Sequence, residues 1–337
     1  MSNSETGTQS GMTSYGLDDR PLGVLVGFDG SEQARLALHY AARAAQRRNA
    51  PLTVVHAFKL PSAIYTTLPA IPEVPEDSAT RKAAQETLGQ ARDYLEEYPG
   101  EVTYRAEHGD AAGILVELSS SAHLVVLGGR GRGGFLGRIL GSVSSAVPGH
   151  AHTPTVVVPK SYAETVKDLD DPFAPMKDEG APVVVGLDGS KQSRVAALQA
   201  AEAADARRSR LHMILTLPPL GDTLEWYPGV GPSDSTSVQR RVNELKKHME
   251  REAEWIRGHF PHLEVTVGVE SGTPVGTLAL ASEKAQLTVV GTRGRGAVAS
   301  TLMGSTSRGV LLSAQGPVMV VPEMDDERLS DQPTSAL

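Results

Sequence analysis

The sequence predicts an α/β protein made of one domain duplicated, each copy a parallel sheet covered by helices on both faces. Three observations predict it. First, stretches of the first half return in the same order in the second. VLVGFDGS (Val24 to Ser31) returns as VVVGLDGS (Val183 to Ser190), and TPTVVVP (Thr153 to Pro159) as GPVMVVP (Gly316 to Pro322). Second, short, continuously apolar runs alternate with segments of helical period, the pattern of buried parallel strands joined by crossover helices. Third, each copy sets a glycine-rich loop between its fourth apolar run and a helix start: LVVLGGRGRGGFLGRILGSVS (Leu124 to Ser144) and LTVVGTRGRGAVASTLMGSTS (Leu287 to Ser307). Asp29 and Asp188 lie 159 residues apart, and Gly141 and Gly304 163 apart, so only a few residues of net insertion separate the copies.

Each element follows from its residues. Val24–Val26 is an apolar run closed by a glycine, hence a buried strand. Ser31 can cap the next segment, where Ala34, Leu38, Ala41, Ala42 and Ala45 fall at helical spacing. Leu52–Phe58 is the second strand, and the proline-rich stretch from Pro61 to Pro75 is a loop. A helix is expected over residues 81–98, stopping before Pro99-Gly100. Strand, helix and strand follow at 102–107, 111–120 and 123–127. Beyond the glycine loop a helix starts near Ser142, which Pro148-Gly149 is expected to bend or end by removing a backbone hydrogen bond. The last strand is Thr155–Val158. The second copy repeats this, with strands expected at 183–185, 211–217, 263–269, 287–290 and 318–321, and helices at 192–208, 238–257, 275–283 and 306–314. Residues 21–160 and 181–323 are then the two domains, 161–180 a polar, proline-rich linker, and 1–20 and 324–337 polar, disordered tails.

Bulk properties narrow the function. The 337 residues are enough for two domains, each able to bury its own core. A net charge of −8 argues against bulk electrostatic binding to nucleic acid. The absence of cysteine rules out disulfides and thiol catalysis and agrees with a cytoplasmic placement. No apolar run approaches the ~20 residues that span a bilayer, and the first twenty residues lack the basic start and apolar core of a signal peptide. Neither a membrane nor a nucleic acid is expected as a partner.

The glycine loops need a purpose. In an open parallel sheet, ligands sit beyond the carboxyl ends of the strands where the strand order reverses. Glycine permits positive φ and close backbone approach, so N–H groups can face an anion, and the helix after the loop adds its N-terminal donors. The loops therefore read as phosphate cradles made mainly of backbone. GRGRGG (Gly129 to Gly134) matches a dinucleotide fingerprint literally, but it follows the fourth strand rather than the first, and its twin lacks the third glycine. The Walker pattern is absent. An Arg-Gly nucleic-acid segment would be longer and not bracketed by strand and helix.

These residues carry a family resemblance. The spacing Gly-x2-Gly-x9-Gly-Ser appears as Gly128, Gly131, Gly141, Ser142 and again as Gly291, Gly294, Gly304, Ser305, each with an Asp-Gly-Ser after the first strand. The chain resembles the universal stress protein family in its tandem two-domain form, over residues 21–160 and 181–323. The resemblance implies two Rossmann-like domains of the adenine nucleotide alpha hydrolase-like type, each a five-stranded sheet of order 3-2-1-4-5. It further implies ATP, or AMP, at the ends of strands one and four, with Mg2+ reached through the phosphates. Asp29 and Asp188 would face ribose, phosphates or metal, and Ala57 and Thr216 would read adenine through backbone groups. Gly128, Gly131, Gly141, Ser142 and Val143 would hold ribose and phosphates in copy one, and Gly291, Gly294, Gly304, Ser305 and Thr306 in copy two. Gly27, Gly186, Arg132 and Arg295 complete the candidate set. Gly129 stands where copy two has Thr292.

Catalytic signals are sparse. Neither cradle contains a lysine, no dedicated base stands out, and the G-x-S-x-G and HExxH patterns are absent. His39 is expected at the surface or core edge, His56 in a structural role, and His150-x-His152 lacks a third metal ligand. Tyr65, Trp226 and Tyr227 read as packing aromatics rather than lids over adenine. The leading reading is a nucleotide-dependent stress-response or regulatory protein with one adenine-nucleotide site per domain and a regulatory protein partner of unknown identity. A slow ATPase or adenylate-handling enzyme is the alternative; it would want a Ser-Gly-Gly loop where GFDGS and GLDGS stand. A partner-binding scaffold with vestigial loops is the third. The last strand of each copy would otherwise be an exposed apolar edge, so the copies should pair through them as an internal pseudo-dimer, with homodimerisation beyond that.

Overall fold

The computed structural model describes residues 20–60, 75–131, 140–167, 172–173, 180–217, 235–294 and 303–331. Among these residues ten strands form one sheet. The first half supplies β1 (Val24–Gly27), β2 (Leu52–Phe58), β3 (Val102–His108), β4 (Leu124–Gly128) and β5 (Thr155–Val158). The second supplies β6 (Val183–Leu187), β7 (Leu211–Leu217), β8 (Val265–Ser271), β9 (Leu287–Gly291) and β10 (Val318–Val321). The order is β3-β2-β1-β4-β5-β10-β9-β6-β7-β8, which is 3-2-1-4-5 run outward-in and then inward-out. Neighbours are parallel within each half, and β5 pairs antiparallel with β10 in the register Val157↔Val318, Val156↔Met319, Thr155↔Val320. Every residue of β5 and β10 is buried, so two edges that would be apolar templates for aggregation cover each other.

The helices are α1 (Glu32–Arg48), α2 (Pro75–Tyr94), α3 (Ala111–Ser119), α4 (Ser142–His150), the single turn α5 (Ala163–Val166), α6 (Lys191–Asp205), α7 (Ser235–His259), α8 (Pro274–Ser282) and α9 (Ser305–Ser313). On the α1/α6 face one apolar layer runs unbroken through both halves, from Leu95 and Tyr98 to Met249 and Ile256. On the other face the layer is split, with Leu115, Val125 and Val147 in the first half and Leu278, Val290 and Val310 in the second. The second of these clusters also takes in Val157 of β5, so the halves meet in apolar packing on both faces, continuously on the α1/α6 side and through β5 on the other.

Several sequence expectations need correction. Residues 324–331, expected as the start of a disordered tail, lie against the second half: Arg328 and Asp326 are buried, Arg328 Nη2 donates to Glu202 Oε1 at 2.6 Å, and Trp255 Nε1 donates to Asp331 Oδ1 at 3.0 Å. Part of the expected linker is likewise core, since Tyr162 and Phe173 pack onto α1. Pro148 does not shorten α4. It has nine residues, as α9 does, and both close on an alanine whose N–H returns to Val147 or Val310. In so short a helix packing outweighs the one lost hydrogen bond. The second helix begins at Pro75 and ends at Tyr94 rather than spanning 81–98, and the eighth strand runs from Val265 to Ser271 rather than 263–269. His39, expected at the surface or core edge, is 1% exposed.

Candidate functional site

β1 and β4 are neighbours, and the chain leaves them toward opposite sides of the sheet, so their carboxyl ends open a crevice at the switch point of the first half. β6 and β9 do the same in the second half. At the end of β1, Asp29 Oδ1 accepts from Ser31 N at 2.9 Å, Gly30 takes φ +78°, and Ser31 Oγ accepts from Ala34 N at 3.1 Å to cap α1. Asp188, Gly189 (φ +78°) and Ser190 repeat this turn at the start of α6. The Asp-Gly-Ser triplets are thus an Asx turn, a left-handed glycine and an N-cap in series. One carboxylate oxygen is committed to the turn, and the other faces the crevice.

That second oxygen explains the spacing of the loop glycines. A Cβ on Gly131 would fall closer than 3.0 Å to Asp29 Oδ2, and one on Gly294 closer than 3.0 Å to Asp188 Oδ2. Gly128 presses on the first turn of α1, where a Cβ would lie 2.8 Å from Gln33 O. None of the described cradle glycines has positive φ; of the two properties of glycine expected to matter there, close approach is the one they use. Gly27 and Gly186 admit Leu115 and Leu278 against the strand ends and so set the crevice floor.

The loops return to α4 and α9 through Gly141 and Gly304, whose N–H groups donate to Gly129 O at 3.0 Å and Thr292 O at 2.7 Å. These two helices differ from their neighbours at the start. α1, α3, α6 and α8 carry a side-chain cap from Ser31, Asp110, Ser190 and Thr273, whereas α4 and α9 begin on glycine with no side-chain cap. Among the described residues no side chain caps their first amides beside the crevice, the arrangement that suits an anion. Buried serines fix the loop base: Ser144 Oγ donates to Gly129 O at 2.8 Å, and Ser307 Oγ to Gly291 O. Sequence reasoning missed both, although their place in Gly-Ser-x-Ser in each copy could have flagged them.

Each crevice is a real cavity, about 580 Å³ in the first half and about 640 Å³ in the second. Of the expected residues, Gly27, Asp29, Ala57, Gly128, Gly131, Gly141, Ser142 and Val143 line the first. Gly186, Asp188, Thr216, Gly291, Gly294, Gly304, Ser305 and Thr306 line the second. Arg132 and Arg295, like Tyr65, Trp226 and Tyr227, lie outside the described residues. Among the described residues the arginines that reach the walls are Arg130 in the first cavity and Arg241 and Arg293 in the second, and Arg293 also pairs with Glu323 at 3.8 Å.

The copies are not identical. His56 lines the first cavity, its Nδ1 bonded to Phe28 O at 2.8 Å, where the second has Leu215. Thr292 receives a hydrogen bond from Gln192 Nε2 that Gly129 has no hydroxyl to match. His150 Nδ1 is bonded to Ala146 O at 2.8 Å. Among the described residues no group of three or more His, Asp or Glu could hold a metal, and no helix is long and apolar enough to cross a membrane.

Two switch-point crevices, each lined by the described glycines of its loop and by a helix start without a side-chain cap, define a tandem α/β protein with two matched clefts. Comparison with known proteins gives that class a family. The Universal stress protein family profile matches residues 23–159 and 181–322, and the chain belongs to this family. Universal stress protein Rv2623 of Mycobacterium tuberculosis (strain ATCC 25618 / H37Rv) is 34% identical over 314 residues, covering 90% of this chain and 97% of that protein. Universal stress protein Rv1996 of the same strain is 33% identical over 319 residues, covering 89% and 94%. The crystal structure of a universal stress protein from Archaeoglobus fulgidus DSM 4304 has the same fold, with a TM-score of 0.59 and 22% identity over 90% of this chain and 97% of that chain.

Proposed function

We propose that the chain is a nucleotide-dependent stress-response protein that binds one adenine nucleotide, ATP or AMP, in each crevice. The observation that carries this reading is the pairing of an uncapped helix start with a glycine loop folded onto a carboxylate, present twice. The phosphates would lie against the first amides of α4 and α9, beside Ser142 or Ser305 and Gly131 or Gly294. The base would reach toward Ala57 or Thr216 at the ends of β2 and β7. The Oδ2 oxygens of Asp29 and Asp188, beside Gly131 and Gly294, suit a ribose hydroxyl, or a Mg2+ that the phosphates bring with them. With a single carboxylate among the described lining residues of each crevice, the metal would be held chiefly by the nucleotide. Occupancy would stiffen the loops and so report nucleotide level to a protein partner in the cytoplasm; pairing of two chains would extend the internal pseudo-dimer. Displacement of a fluorescent ATP analogue by ATP, ADP, AMP and GTP tests the reading. Adenine nucleotides should displace it and GTP should not; equal displacement by GTP, or no binding of the analogue, would refute it.

A further inference from the structure

The last turn of α1 carries Arg47 and Arg48, and the chain just past α6 carries Arg207. These helices meet across the junction of the two halves, where Arg207 Nη2 donates to Tyr40 Oη at 2.7 Å. Arg47 Nε and Arg48 Nη1 are buried there without a hydrogen-bond partner, as is Gln199 Nε2 on α6. The repeat accounts for the mismatch. Tyr40 corresponds to Gln199 and Arg48 to Arg207, each 159 residues apart. The Arg207–Tyr40 bond therefore has as its counterpart Arg48 facing an amide.

Among the described residues the charges do not balance. Burial, then the nearby Arg207 charge, pulls Arg47 down to about 9, and the same causes pull Arg48 down. Among the described residues no carboxylate acts on Arg47, and the one acting on Arg48, Glu202, is already bound by Arg328 at 2.6 Å. A guanidinium does not relieve such stress by releasing its proton, so it calls for a counter-anion. A cation in the last turn also suits the helix dipole, but a solvated side chain would serve that purpose.

We propose that Arg47, Arg48 and Arg207 form an anion site between the two halves, and that its ligand is a doubly charged tetrahedral oxyanion of the phosphate class. The ends of α1 and α6 bring three guanidinium groups to the junction, Arg207 also donating to Ala203 O and Tyr40 Oη, and a tetrahedral dianion suits their forked donors and combined charge better than a monoanion. The site is separate from both crevices: Arg48 lies about 25 Å along α1 from Ser31, at the opposite end of the helix. Bound there, the anion would tie α1 of one half to α6 of the other.

The test is thermal unfolding of the full chain in sodium phosphate against sodium chloride at matched ionic strength. Phosphate also stabilises proteins by exclusion from their surface, so the readout is the difference between wild type and the variants Arg47→Met and Arg48→Met. Wild type should show a saturable rise in Tm at millimolar phosphate. So should Gly131→Asp/Gly294→Asp, which blocks the two crevices. Both Met variants should lose that rise, bind phosphate more than tenfold more weakly by 31P NMR titration, and in chloride unfold no lower than wild type. Arg48→Lys, which keeps the charge without the fork, should fold normally and respond to phosphate only in part. An equal phosphate response in wild type and the Met variants, or its loss when the crevices are blocked, would overturn the proposal.

Discussion

Replacing Gly294 by alanine probes the link between glycine spacing and the Asp-Gly-Ser turn. The added methyl would sit closer than 3.0 Å to Asp188 Oδ2, and an ordinary contact needs about 3.5 Å. The carboxylate must rotate. Its other oxygen accepts from Ser190 N at 3.0 Å and from Ser190 Oγ at 2.7 Å, so rotation weakens charge-assisted bonds worth about 1.5–3 kcal/mol. Reduced freedom of the unfolded chain offsets about 0.4–1 kcal/mol. A net cost of about 1–2 kcal/mol remains, placed on the group that would meet the ligand. Calorimetric titration with Mg-ATP should then show affinity at the second site falling about tenfold while the first is unchanged. Gly258→Ala is the control, since a Cβ there meets nothing within 4 Å. If Gly294→Ala leaves both affinities within twofold of wild type, the carboxylate does not depend on the glycine and the reasoning fails.

Three further outcomes are expected. Ser144→Ala removes a buried hydrogen bond to Gly129 O, so it should cost about 1 kcal/mol in urea unfolding and weaken nucleotide only at the first site. Arg328→Met leaves Glu202 and Asp326 buried without their cation and should cost about 3–5 kcal/mol by the same assay. His39 is held down to about 4 by burial and by Arg43 and Arg47, so between its unfolded pKa near 6.5 and that value the unfolded chain binds the extra proton. Stability should therefore fall as pH drops through that window, by about 3 kcal/mol in total, and urea unfolding of His39→Phe from pH 7 to pH 4 should lack that component.

The strands were legible because a doubly covered parallel strand has no polar face. Val24–Val26 and Leu124–Leu127 read as unbroken apolar runs for the same reason they are buried. The crevices were legible because close approach to Asp29 and Asp188 can be met only by glycine at fixed distances along the loop. Other features arise from pairings distant in sequence. Arg328 orders the C-terminal segment through Glu202, 126 residues away, and His39 is sealed by Phe173. The junction arginines come into view only when α6 is laid beside α1. Pro148 misled because propensity weighs heavily in an isolated helix and little in a turn wedged between packed layers.

The most direct test is a count of bound nucleotide. Equilibrium dialysis of the purified chain against labelled Mg-ATP should give two equivalents per chain for wild type, and one each for Gly131→Asp and Gly294→Asp. Saturation below half an equivalent in wild type, or a count unmoved by either substitution, would contradict the assignment of the crevices as adenine-nucleotide sites.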